Sequence, residues 1–95
     1  MAKSVIVERE DHATIGRYIA KSSSGEDLAV SYTRPRKDLI YINHISGKGI
    51  RAVDRVLTQI VKDARDAGAR IVPVDQKASK VFAKHPDWAD VLQAA

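Results

Sequence analysis

The spacing of apolar residues changes once along this 95-residue chain, at Gly49, and that change limits what the chain can fold into. Before it, short apolar runs are separated by polar punctuation, as strands require. Val5-Ile6-Val7-Glu8 is a strand by its β-branched residues, and Glu10-Asp11-His12 is a polar turn. Thr14 to Ala20 alternates loosely around Ile15 and Ile19, and Ser22 to Asp27 is a turn by composition. Leu28, Val30 and Tyr32 share one face of a third strand. Arg34-Pro35-Arg36-Lys37-Asp38 is the next turn, where Pro35 interrupts strand pairing. Leu39-Ile40-Tyr41-Ile42-Asn43-His44 is the strongest strand. Connections this short imply an antiparallel meander.

After Gly49 the period lengthens. Ile50, Val53, Val56, Leu57, Ile60, Val61 and Ala64 fall on one face of a helix that ends at Gly68, a residue suited to the left-handed position after a helix. Ala69 to Val74 is a strand parallel to the one before the helix, because a helical crossover is what parallel pairing needs. Lys77 to Lys84 is a short helix burying Val81 and Phe82. Pro86 ends it, and Trp88, Val91 and Leu92 form a terminal turn that packs back. The expected class is therefore α/β (α+β), with a mostly antiparallel sheet, a helix, a parallel strand and a short C-terminal helix, in a single domain over 1–95.

Composition removes some chemistries. The chain has no cysteine, so disulfides, thiolate metal sites and cysteine nucleophiles are absent from it. Its three histidines are too dispersed to form a metal site by spacing. No apolar run approaches the roughly 20 residues that span a bilayer, and Met1 to Glu8 has no signal-peptide core. The expectation is a cytoplasmic protein without a membrane partner, as a monomer or homodimer. The net charge is +4, with seven basic and six acidic residues in 1–47 and nine and six in 48–95. An anionic partner or a mildly basic solvated surface both fit that balance.

The segment with the most chemistry is the strand-to-helix junction His44-Ile45-Ser46-Gly47-Lys48-Gly49-Ile50-Arg51. Glycines permit a tight turn and close approach of a ligand, and a helix N-terminus offers free N–H groups to phosphate. Lys48 and Arg51 add charge there. The alternative is a glycine-bearing turn that only starts a helix. The junction is neither the dinucleotide fingerprint nor the P-loop. His44, at the strand end, is a candidate acid or base, or a strand-end histidine bonded to backbone. Asp75 follows a strand at its C-terminal end, where α/β sheets place ligand groups, and equally suits the N-cap of the helix near Lys77.

The order of elements, with Val72-Pro73-Val74 and the tail His85-Pro86-Asp87-Trp88-Ala89-Asp90-Val91-Leu92, resembles the short GNAT (general-control-type N-acetyltransferase) family. The resemblance covers nearly the whole chain. His44 matches that family's strand-end histidine, and Ala64-Arg65 with Gly68 match its helix end. His85 stands ten residues after Asp75, as the family spacing requires. There are departures: the loop after His44 is shorter, Arg51 falls on the second motif glycine, and Ile45 replaces a threonine. Asp75 replaces the family's cysteine, and Asp87-Trp88 replaces Glu-Tyr.

The resemblance implies a GNAT-like fold and acetyl transfer from acetyl-CoA to a primary amine carried by a small molecule or a protein. It implies that Gly47, Lys48, Gly49, Ile50 and Arg51 hold the pyrophosphate, and that backbone N–H groups from Asn43 through His44 to Ile45 lie near the thioester. His44 or Asp75 would then be the base. The runner-up is a catalytically degenerate module of the same fold that binds CoA, another phosphate ligand or nucleic acid through the basic loop.

Overall fold

A computed structural model describes residues 5–22, 27–47 and 50–93. Strands β1 (Val5–His12), β2 (Ile15–Ser22), β3 (Leu28–Arg36) and β4 (Leu39–Ser46) precede helix α1 (Ile50–Ala67). Strand β5 (Arg70–Pro73), helix α2 (Gln76–Ala83) and a 3₁₀ turn at Pro86–Trp88 follow. The sheet order is β1-β2-β3-β4-β5. The first four strands are antiparallel neighbours and β5 runs parallel to β4. The protein is thus α+β, with a five-stranded mixed sheet and two helices.

The strand half departs from the sequence reading where side-chain pairing outweighs local composition. Glu10-Asp11-His12 is not a turn: β1 runs on to His12, and Ala13-Thr14 alone make the hairpin. Across this hairpin Glu10 faces Arg17, and the Arg17 guanidinium bonds its carboxylate at 2.6 Å. Ala13 takes a positive φ of 52°, as the first position of a two-residue hairpin turn demands. Pro35 does not end β3 either. Two residues, Arg34 and Pro35, stand opposite Ile40 alone, and such a bulge tolerates a proline because it needs no ladder N–H there. The expected turn at Ser22 to Asp27 lies mostly outside the described residues.

One face of the sheet carries the core. Tyr18, Ala20, Leu28, Val30, Tyr32, Ile40, Ile42, Ile45 and Ile71 are buried against Val53, Val56, Leu57, Ile60, Val61 and Ala64 of α1. Gly16 pairs with Tyr32, whose hydroxyl would collide with a side chain at that position, so the glycine lets the ring lie over the backbone. Helix α1 stops at Gly68, at φ 68°. Ala69 N–H donates to Ala64 O and Gly68 N–H to Arg65 O, the two bonds that satisfy the last helical carbonyls.

Phe82 and Trp88 join the same buried cluster, with their rings edge-to-face at 5.0 Å. Val81 is only half-buried; of the terminal turn, Trp88 and Val91 pack back into the core while Leu92 is 37% exposed. Instead the backbone around Leu92 covers the outer edge of β5: Ile71 N–H donates to Val91 O and Gln93 N–H to Ile71 O. The opposite face of the sheet is largely open, with Ile15 59% exposed. Among the described residues no helix is long and apolar enough to cross a membrane.

Candidate functional site

The alternation of β4 breaks at Asn43. Ile40 and Ile42 face the core, and so does Ile45, which in a regular strand would face the other way. The register shows the cause: Tyr32 pairs with Ile42 and Ser31 with His44, leaving Asn43 as an extra residue. Its side-chain amide donates to the Thr33 hydroxyl, which pins the bulge to β3.

At the same place β4 and β5 part. Their pairing covers Leu39 to Ile42 and stops at Pro73. Val74 and Asp75 N–H both donate to Ile42 O at 3.0 Å, and the chain then leaves the sheet to begin α2. Asn43 to Ser46 therefore continue without a β5 neighbour.

Asp75 sits in the parting, 14% exposed, and both its oxygens are engaged. Oδ1 accepts from Lys77 N–H at 2.7 Å and Ala78 N–H at 3.2 Å, so Asp75 is the N-cap of α2. Oδ2 accepts from Ile45 N–H at 3.3 Å. It also lies 3.9 Å from His44 Nδ1. One carboxylate thus caps a helix and bridges the two strands where they separate. His44 stands beside it with its side chain 69% exposed, in register with Ser31 of the open face.

Gly47 has a reason within the fold. Its φ is 118°, and a Cβ there would lie 2.7 Å from Asp27 O. The chain turns off β4 against the start of β3, and only glycine fits. Lys48 and Gly49 lie outside the described residues. Ile50 and Arg51 open α1, with only their backbone described. The junction therefore brings a helix N-terminus to the end of the parted strand.

On the open face beside Asn43, a depression of about 370 Å³ is bordered by His12, Ile15, Arg17, Ser31, Thr33 and Asn43. Its charge is partly neutralised by the Arg17–Glu10 pair.

Two polar clusters had no local sequence signal. His85 does not cap the 3₁₀ turn with its side chain. It stacks on Trp88 at 3.8 Å and approaches Asp54 Oδ1 of α1 through Nε2 at 2.6 Å. Farther along α1, Asp63 accepts from the Tyr18 hydroxyl at 2.6 Å and from Gln59 at 2.9 Å, with Arg9 at 3.6 Å. Burial, and then the hydrogen bond to Asp63, push the Tyr18 hydroxyl above its ordinary value. These ties hold α1 to the sheet and to the C-terminal corner. Among the described residues no three His, Asp or Glu side chains converge as metal ligands. Compared with family models, curated proteins and solved structures, the chain has no match.

Proposed function

We propose that this chain is a GNAT-type N-acetyltransferase domain that moves an acetyl group from acetyl-CoA to a primary amine. The observation that carries this reading is the parting of β4 from β5 at the Asn43 bulge, with α1 beginning four residues beyond β4. A parted strand offers backbone amides to an extended acyl chain, and the helix N-terminus offers N–H groups to a pyrophosphate. The fit to acetyl-CoA has one constraint. Of the amides from Asn43 to Ile45, that of Ile45 already donates to Asp75.

Acetyl-CoA supplies the activated thioester. His44 is exposed at the mouth of the parting, where it accepts a proton from the incoming ammonium. The freed amine forms an N–C bond to the acetyl carbon, the C–S bond breaks, and the departing thiolate takes up the proton that the attacking nitrogen releases. The Asp75 carboxylate, engaged by three N–H donors, holds the parted strand to α2 rather than taking that proton itself. The acceptor approaches from the open face, where the depression beside Asn43 lies.

The engaged Ile45 amide and the packing reason for Gly47 favour a second reading, in which the module binds CoA or another phosphate ligand without transferring a group. Acetyl-CoA incubated with a panel of amines separates the two. Acetylated product together with free CoA thiol supports transfer. Saturable binding with no thiol release supports the binding module. No binding at millimolar ligand removes both.

A further inference from the structure

We propose that the exposed face of α2 is an electrostatic docking surface for the phosphate backbone of duplex nucleic acid. Lys77, Lys80 and Lys84 fall within an arc of about 60° on this helix, spread over roughly 10 Å of its axis. All three are exposed, on the side away from buried Ala78 and Phe82. The helix Gln76–Ala83 contains no acidic residue.

The arrangement differs from that on β1 and β2, while Arg34, Lys37, Arg55, Lys62 and Arg70 share with it the lack of an ion pair among the described residues. On β1 and β2, Arg9 pairs with Asp11, Arg17 with Glu10 and Lys21 with Glu8. Arg36 pairs with Asp38, and Arg65 with Asp90. Among the described residues the three α2 lysines have no ion pair. Of the nearby carboxylates, Asp75 accepts from backbone N–H groups, Asp54 of α1 lies 2.6 Å from His85, and Asp87 stands 3.8 Å from the same ring. Three of the sixteen basic residues thus share one helix face, with Arg55 of neighbouring α1 also exposed.

The choice of partner follows from the side chains. Lysine is a compact point charge that suits phosphate, and the proposed contact is with the backbone and independent of sequence. Tyr18, Tyr32, Phe82 and Trp88 are buried, which leaves no aromatic platform on α2 to stack unpaired bases. A duplex, which keeps its bases stacked, fits better than a single strand.

The test is fluorescence anisotropy of a labelled 20-base-pair DNA duplex with the full chain, from 25 to 200 mM salt. The expected log–log salt slope is about −2.7, for three neutralised phosphates. Lys77→Gln/Lys80→Gln/Lys84→Gln should weaken binding by more than about tenfold at 50 mM salt. Arg36→Gln/Lys37→Gln, at the opposite turn, should leave it unchanged. Unaltered Trp88 fluorescence and circular dichroism in the triple variant establish that it is folded. Undiminished binding by the folded triple variant, no binding at 25 mM salt, or tighter binding to polyglutamate than to the duplex would overturn the proposal. The outcome is independent of whether acetyl-CoA binds.

Discussion

The two halves of β4 obey different rules. From Leu39 to Ile42 the strand pairs in regular register with β5, and Ile40, Ile42 and their neighbour Ile71 are buried. From Asn43 to Ser46 it is bulged and mostly exposed, and β5 no longer flanks it. Main-chain polar groups need partners in either half. The first half meets that need with a ladder. The second uses a side chain, the Asp75 carboxylate that takes the Ile45 amide. Apolar burial fixes the fold in one half, while a polar substitute for the ladder makes a candidate site in the other.

The largest expected effect breaks the paired half. Ile42→Ala or Ile71→Ala removes a fully buried side chain and should cost about 2–5 kcal/mol in urea unfolding. In the parted half, Asp75→Ala removes a helix cap and leaves the Ile45 amide short of a partner, at a cost of about 2 kcal/mol. Asp75→Asn keeps one acceptor for the cap but sets an NH₂ against the Ile45 N–H, so it should recover the cap and not the bridge. Full recovery by Asp75→Asn would contradict the bridging role, and an equal cost for the two variants would contradict the capping role.

The clasp from β2 to α1 should respond to alkali. The Tyr18 hydroxyl is raised above its ordinary value, so the folded state keeps a proton that the unfolded state gives up above about pH 10. Stability from this group is fully present below pH 10 and is lost as pH rises beyond it. Tyr18→Phe should cost about 1 kcal/mol at neutral pH, and thermal melts should show a weaker loss of stability above pH 10 than in the parent. At the acid end, Arg17 holds the Glu10 carboxyl, and Arg65 the Asp90 carboxyl, below their usual range. Those pairs stabilise above that range and fail as pH falls through it.

The smallest stability effect is expected at exposed His44. His44→Ala should change stability by less than about 0.5 kcal/mol yet reduce acetyl transfer by about 10²–10⁴-fold. A fall in activity matched by a fall in stability would place His44 with the fold rather than with the chemistry.

The paired half was legible because its signals are local. Alternation gave Leu28, Val30 and Tyr32 their common face, the helical period gave α1, and Gly68 was a recognisable helix stop. The hairpin at Ala13 was not, since Glu10-Asp11-His12 reads as a polar turn until Glu10 pairs with Arg17 across the strands. Pro35 misled for the same reason: its missing N–H matters only if a neighbour needs it. The Asn43 bulge left one trace, the change in parity between Ile42 and Ile45. The Asp54–His85 and Tyr18–Asp63 contacts join residues 31 and 45 positions apart, and no local pattern predicts them.

The most direct test of the parted strand as a ligand slot is an NMR titration of the ¹⁵N-labelled chain with acetyl-CoA and with CoA. Amide shifts concentrated at Asn43 to Gly47 and in the first turn of α1, with the Ile45 resonance moving as its bond to Asp75 is exchanged, are the predicted result. Shifts confined to the paired half of β4 and β5, or none at millimolar ligand, would contradict it.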